Sequence, residues 1–471
     1  MTAALEASDI ARFVHAQYAR LPKTGKPQTA EWTILAGVVL TTLDAPPRVI
    51  ALGTGTKCLT AEQIAADTAG ECLHDAHAEV CARRALRAYF VSELKSLASS
   101  STSDVLQPIA SCDCSTGPDG STGGGRGGFE LKPGVTLIFY TSEPPCGDAA
   151  IFDYESDAAT AEPSAKRQCG VVEGGGAADP PLLRSHRTGA RPAASDAMEA
   201  EAKMGGSICM TGLVRTKPGR GVRTSCMSCS DKLARWHALG VQGALLSLLL
   251  PQPIRFVRIV VGRPSSLVAL RRAVCRCRSD GSHPRTHDDV PPTSLQLEST
   301  SMQFEHSPPA DAATDSDVHD ASHRPCTNSL VWGACGLSEA LNGLSGKRLG
   351  ANKRQPSPKH RSAVCKARVL EAWHELLALL PADVVGAAQL SETRAYSYAE
   401  TKALAMAYQQ RKARLLGPAG PMAEWVHAPA ACEAFTALPL RLSAAPGATG
   451  AAGAGAADCQ ECDTALEVGR K

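Results

Sequence analysis

His77-Ala78-Glu79 sets an imidazole and a carboxylate two residues apart, and Pro145-Cys146-Gly147-Asp148 adds a thiol later in the chain. Much further on, Ser225-Cys226-Met227-Ser228-Cys229-Ser230-Asp231-Lys232 carries two more thiols. One imidazole and two thiolates suit a catalytic zinc, which takes three protein ligands and keeps a fourth position for water. His77 and Cys146 supply two, so the third comes from far along the chain, with Cys229 and Cys226 as candidates. Zinc lowers the pKa of its water toward about 7, giving a nucleophile at neutral pH. Glu79 cannot be a fourth ligand if that water stays, and its use is then as a proton shuttle.

These groups need elements to hold them. Val80, Ala85, Leu86, Tyr89, Phe90 and Leu94 recur at mostly three- and four-residue steps, so 77–97 reads as a helix with the motif at its N-terminus. Leu137-Ile138-Phe139-Tyr140 reads as a buried strand that Pro144-Pro145 stop, after which Cys146 opens a second short helix. Helix N-termini favour thiolate and hydroxide. A lone His-Ala-Glu or Pro-Cys is common by chance, and a structural zinc site or a reduced core cysteine would explain each separately. Their order, with a strand before Cys146 and a helix after His77, argues for one site.

The two elements match the H-x-E and P-C halves of the zinc deaminase signature, in which a second cysteine normally stands three places after the first. That position here is Ala149. Five longer blocks, Leu52-Gly53-Thr54-Gly55-Thr56-Lys57-Cys58, Asp75–Glu79, Arg83-Arg84, Pro145–Ala149 and Ser228–Trp236, resemble a catalytic domain shared by two groups. These are the RNA-editing adenosine deaminases acting on double-stranded RNA and the eukaryotic tRNA-specific adenosine deaminases that act beside the anticodon. The similarity runs from about Ala30 to Pro429, with insertions. It implies His77, Cys146 and Cys229 as zinc ligands, attack of zinc-bound hydroxide on adenine C6, and Glu79 shuttling protons to the ring nitrogen and leaving amine. The Arg215–Gly221 segment, the short stretch from Lys217 to Cys229, and Ala150 where the editors carry arginine resemble the tRNA group. The chain also begins almost at the catalytic domain, so double-stranded-RNA-binding modules are not expected. The implied substrate is the adenosine 3′ of the anticodon in alanine tRNA. Editing of another structured RNA and a catalytically silent RNA-binding paralogue are the alternatives; retention of His77, Glu79, Cys146 and Cys229 speaks against silence.

The resemblance also implies a buried inositol hexakisphosphate. Its ligands map to Arg83, Arg84, Lys232, Arg235, Trp236, Lys366, Tyr398, Lys402, Tyr408, Lys412 and Trp425, and a polar relay to the zinc maps to Asp75, Lys217 and Lys232. Tyr398/Lys402 and Tyr408/Lys412 are each one helical turn apart, so each pair shares a face. Six buried phosphates need many cationic donors, and outer-shell partners of this kind orient metal ligands. Solvated helix surface is the ordinary reading of such lysines and arginines. His74 in place of an asparagine, and His427-Ala428 in place of an acidic–basic pair, depart from the family pattern.

The expected fold is α/β: a three-layer cytidine-deaminase-like arrangement, a mixed sheet flanked by helices, with a helical C-terminal part. Strands are expected at Thr33–Leu40, Arg48–Leu52, Val135–Thr141, Gly243–Leu250 and Ile254–Val261, and helices near 362–380 and 396–416. Val364, Val369, Leu370, Trp373, Leu376 and Leu377 make a core-packing stripe, with Ser362 as cap and Pro381 beyond the end.

The 471 residues could hold two average domains, but much of the chain is not domain-like. Low-complexity insertions are expected at about 98–130, 155–206 and 279–325, and residues 443–471 form an Ala/Gly-rich tail; such stretches bury too little apolar surface to offset ordering and are expected to be disordered. One deaminase domain, 1–440, remains. Net charge is only +2, yet Lys203 to Arg278 holds fourteen Lys/Arg against Asp231 alone. That block suits a phosphate-tracking RNA surface, with Thr56, Lys217, Arg220 and Arg223 as contact candidates. The partner expected is tRNA rather than DNA or membrane, and no oligomeric partner is indicated. Eighteen cysteines without a secretory signal do not suggest a disulfide scaffold. Cys112/Cys114, Cys275/Cys277 and Cys459/Cys462 lack matched partners and read as incidental. Glu6 and Asp9 near the start argue against a signal peptide, and Ala244–Leu250 is too short to span a membrane, so an intracellular location, cytoplasmic or nuclear, is expected.

Overall fold

The computed structural model describes residues 5–100, 102–109, 128–152, 182–184, 189–204, 208–218, 224–263, 265–276, 295–309, 323–351, 357–381, 390 and 392–437. All belong to the unit Met1–Ala437; Leu438–Lys471 is a separate unit outside the described residues. An eight-stranded mixed sheet is built from β1 (Leu35–Thr41), β2 (Arg48–Thr54), β3 (Thr136–Thr141), β4 (Arg258–Val261), β5 (Gln296–Ser299), β6 (Asn328–Gly333), β7 (Leu337–Asn342) and β8 (Lys347–Arg348), ordered β5-β4-β3-β1-β2-β6-β7-β8. The pairs β5–β4 and β4–β3 are parallel, and the rest are antiparallel.

Alternation along β1 divides the core, as a pleated strand requires. Leu35 and Val39 pack with Ile10, Val14 and Tyr18 of helix α1 (Ala7–Ala19) on one face. Ala36, Val38 and Leu40 pack with Ala82, Ala85, Leu86 and Phe90 of α2 (Ala78–Ser100) on the other. Gly53 permits the close seat of α2, because a β-carbon there would lie 2.5 Å from both the Ala78 carbonyl oxygen and the Ala82 nitrogen. Besides the short helices Ala61–Ala66 and Gly243–Leu246, the described residues form α3 (Ser195–Lys203), α4 (Cys229–Leu239), α5 (Leu267–Cys275), α6 (Lys366–Leu379), α7 (Tyr398–Ala403) and α8 (Met406–Leu416). Tyr408 and Leu415 of α8 join Ala234, Ala238 and Leu239 of α4 in a third apolar cluster, which places the C-terminal helices against the motif-bearing α4.

The layered fold, its sheet and its flanking helices are those expected. Several boundaries differ. The expected strand Gly243–Leu250 is a helical turn, Gly243–Leu246, followed by loop. Its buried run consists of alanine, leucine and serine without a β-branched residue, so apolarity alone could not separate helix from strand. The 396–416 helix breaks at Leu404-Ala405 into α7 and α8. Ser362 does not cap α6: Cys365 is the N-cap, while the Ser362 hydroxyl bonds Glu339. Pro381 does follow the end. After Cys146 comes a single 3₁₀ turn, Asp148–Ala150.

The low-complexity boundaries were also drawn too wide. Ala98–Ser100 complete α2, and Leu106–Pro108 pairs with Phe129–Leu131. α3 lies inside 155–206, and β5, inside 279–325, pairs along the outer edge of the sheet. β5 brings only Leu297 to the core, with Leu295 just before it, too few apolar residues for composition to register. Most of the rest of these stretches, and the tail 443–471, lies outside the described residues.

Candidate active site

His77 immediately precedes α2, Glu79 sits in its first turn, and Cys229 is the first residue of α4, whose N-cap Ser228 accepts the Asp231 N–H. Cys146 follows β3. Among the described residues, the ligand atoms of His77, Cys146 and Cys229 form the one potential metal cluster, all within 4.8 Å of one another. His77 Nδ1 is 4.0 Å from Cys146 Sγ and 3.7 Å from Cys229 Sγ. The Cys229 N–H donates to Cys146 Sγ at 3.3 Å. Ser230 stitches the two cysteine segments, its hydroxyl donating to the Pro145 and Cys146 carbonyls and accepting the Ala149 N–H, each at 3.0 Å. Cys226 stands apart: its thiol donates to the His74 carbonyl at 3.5 Å, in an apolar cluster with Cys58 and Ile64. The donor set N/S/S, drawn together without a further ligand, fits zinc with an open position.

The two thiols shift in opposite directions: burial, then the hydrogen bond to Cys146, holds Cys229 well above the usual thiol range. Cys146 is held well below the usual thiol range, chiefly by the Cys229 hydrogen bond and, against the cost of burial, by Lys217 and His77. Burial, then the charge of Cys146, raises the Glu79 carboxyl above its ordinary value. Glu79 Oε2 is fully buried with no hydrogen-bond partner, as an acceptor reserved for water or substrate would be. Asp75 accepts from Lys217 Nζ at 2.7 Å and from Lys232, and its other oxygen accepts the His77 N–H at 3.0 Å. Lys217 Nζ donates onward to Cys229 Sγ at 3.2 Å. Burial opposes the charge on both partners, but Lys217, Lys232 and His77 hold Asp75 well below the carboxylate range, and Asp75, Cys229 and Cys146 hold Lys217 well above the lysine range.

Behind this chain lies a cavity of about 310 Å³. All eleven residues mapped to the polyanion line it. Arg87, one turn beyond Arg83 on α2, lines it too and was missed, although the i, i+4 spacing was available in the sequence. Glu433, also unanticipated, pairs with Lys366 at 3.3 Å and with Lys402. Arg83 lies over Trp236 and Arg235 over Trp425, each 4.9 Å from the ring centroid. Eight lysines and arginines therefore face two carboxylates, Asp75 and Glu433. Burial, then Arg87, pushes Arg83 well below the guanidinium range and lowers Arg84. Such crowding is the mark of a site built around an anion. His74 and His427, the departures from the family pattern, also line the cavity. Burial lowers both, so they add little positive charge; His74 Nε2 lies 2.8 Å from Asp67.

The expected RNA contacts fare differently. Lys217 is only 2% exposed and committed to Asp75 and Cys229, which suits the relay and removes it from the surface. Thr56 is half-buried, with its hydroxyl 3.5 Å from the Cys326 carbonyl. Arg220 and Arg223 lie outside the described residues. The basic block is largely internal: Arg215 pairs with Glu201, Arg258 with Glu298, Arg263 with Glu143, Arg272 with Asp148 and Arg276 with Asp231. A local count misses this, because most of those carboxylates come from other parts of the chain. No disulfide joins the twelve described cysteines, and no helix among the described residues is long and apolar enough to cross a membrane.

A sheet and its flanking helices that bring an imidazole, two thiols and a buried carboxylate with one unpaired oxygen to one point are the frame of a deaminase. The chain belongs to the adenosine-deaminase (editase) domain family, whose pattern matches residues 51–429. It is similar to tRNA-specific adenosine deaminase 1 of Mus musculus, 28% identical over 512 residues spanning 90% of this chain and 98% of that one. The Drosophila melanogaster protein of the same name is 29% identical over 418 residues, covering 85% and 90%. The double-stranded RNA-specific editase Adar of Drosophila melanogaster is 28% identical over 274 residues, 58% of this chain and 35% of that one.

Proposed function

We propose that this deaminase converts adenosine to inosine in tRNA, at the adenosine 3′ of the anticodon of alanine tRNA. The observation that carries the chemistry is the His77/Cys146/Cys229 cluster beside the buried Glu79 carboxylate, whose Oε2 has no hydrogen-bond partner. His77 Nδ1 and the two sulfurs would hold zinc, which when bound supplies a water nucleophile at neutral pH. Glu79 would relay one proton from the attacking water to adenine N1 and a second, from the hydroxyl then on C6, to the amine that leaves as ammonia, so adenosine and water give inosine and ammonia. Its raised carboxyl suits a group that must both accept and return a proton. Asp75, Lys217 and Lys232 hold the Cys229 sulfur in place and tie it to the cavity wall. The target base must leave its stack to reach so enclosed a carboxylate. A tRNA substrate is favoured over a duplex by the relatives, since similarity extends over nearly all of the tRNA enzymes and about a third of the editor.

Incubating purified protein with total tRNA and sequencing the product tests the assignment. We expect adenosine-to-guanosine changes at one position, 3′ of the alanine anticodon. Deamination confined to other structured RNAs would overturn the tRNA reading and leave the chemistry standing.

The cavity is proposed to hold inositol hexakisphosphate, whose phosphates would neutralise the cations of α2, α4, α7 and α8. Acid extraction of the purified protein should release about one molecule of a hexakisphosphate per chain, read by phosphorus NMR and mass spectrometry. Reversing a wall charge, Lys402→Glu, should leave the protein insoluble or without phosphate. A soluble wild-type protein free of phosphate would overturn this occupant.

A further inference from the structure

Helix α5 lies behind the cysteine segments, and Arg272 in its last turn and Arg276, its C-cap, each hold one of them. Arg272 Nε donates to Asp148 Oδ2 at 3.0 Å, and its Nη2 donates to the Asp148 and Ile151 carbonyls, both at 2.9 Å. One guanidinium therefore closes the 3₁₀ turn that follows Cys146. Arg276 pairs with Asp231, which is fully buried in the first turn of α4. Asp231 Oδ2 in turn accepts the Ser228 hydroxyl at 2.6 Å and the Arg215 N–H at 2.9 Å, so Arg276 fixes the N-cap from which Cys229 projects. The two halves meet at Gly212. Its N–H donates to Asp148 Oδ1 at 2.8 Å, and its carbonyl accepts from Arg276 Nη1 at 3.2 Å. Gly212 has φ +79°, a conformation that glycine adopts without a side-chain penalty. Arg276 itself has φ +52°, in the left-handed region that non-glycine residues rarely enter. A strained backbone kept at a buried ion pair points to a geometry held for a purpose.

We infer that Arg272 and Arg276 form a brace that sets the spacing of the Cys146 and Cys229 sulfurs, and so act as positioning residues for the metal. Ser230 joins the cysteine segments on the metal side; the brace joins them from behind and neutralises two carboxylates that would otherwise stand buried near the thiolates. A lysine keeps the charge and loses the planar fork that reaches both carbonyls.

This inference rests on the zinc reading, and the test separates the two. Zinc affinity is measured by chelator competition, and the cobalt-substituted protein is examined for its thiolate-to-cobalt absorption, for wild type, Arg272→Lys, Arg276→Lys and the exposed neighbour Arg271→Lys. We expect wild type and Arg271→Lys to bind alike, and folded Arg272→Lys and Arg276→Lys to bind about 10–100-fold more weakly with a shifted cobalt spectrum. Should the lysine variants not fold, Gly212→Ala carries the test, since a β-carbon there meets nothing within 4 Å and changes only the backbone that joins the halves; the same weakening and shift are expected. Zinc affinity and spectrum equal to wild type in folded variants would overturn the brace alone. A wild-type protein that binds no zinc would overturn the metal reading and the brace with it.

Discussion

Glu79→Gln should reduce deamination at least about 10³-fold while zinc content and thermal stability stay close to wild type. A single positioned acid–base group contributes about 10²–10⁴ in rate, and Glu79 is the one assigned to both proton transfers. Glutamine keeps the shape and one carbonyl oxygen, so the small space around Oε2 stays filled. It also removes a charge that burial and Cys146 already disfavour, which is why the fold should not suffer. Single-turnover deamination of tRNA, beside metal analysis of the same preparation, checks this. Loss of zinc with activity would make Glu79 a ligand, and retained activity would move the shuttle to another group.

Cys229→Ser should lose zinc, whereas Cys226→Ser should keep it. Structural zinc sites bind through four ligands with about 10–16 kcal/mol, so one ligand accounts for roughly 2.5–4 kcal/mol, a fall of about 10²–10³ in affinity. The effect should be compounded by Lys217, whose ammonium, 3.2 Å from Cys229 Sγ, would face a poorer acceptor. The Cys226 thiol bonds the His74 carbonyl and Cys58 and lies outside the His77/Cys146/Cys229 cluster, so its serine variant should differ in stability more than in metal content. Zinc titration of the two variants decides the matter, and the reverse result would move the third ligand to Cys226.

The sequence by itself determined the chemistry of this protein. An imidazole, a carboxylate and thiols in that order admit few uses, and the 3.6-residue period placed the first pair at a helix start. The paired spacing of Tyr398/Lys402 and Tyr408/Lys412 survived the break between α7 and α8, because each pair lies within one helix. Local periodicity reports which residues share a face; it does not report what that face meets. The choice between Cys226 and Cys229 therefore rested on resemblance until the fold put one sulfur 3.7 Å from His77 and turned the other toward His74. The basic block looked like an RNA surface because the carboxylates that neutralise Arg215, Arg258, Arg263, Arg272 and Arg276 come from elsewhere in the chain, Asp231 apart. The same limit hid β5, whose one buried leucine, Leu297, acquires meaning only beside β4. Residue types and their spacing limit what chemistry is possible; contacts between segments distant in sequence, which no local pattern encodes, bring Cys229 rather than Cys226 beside His77 and pair the buried cations with their carboxylates.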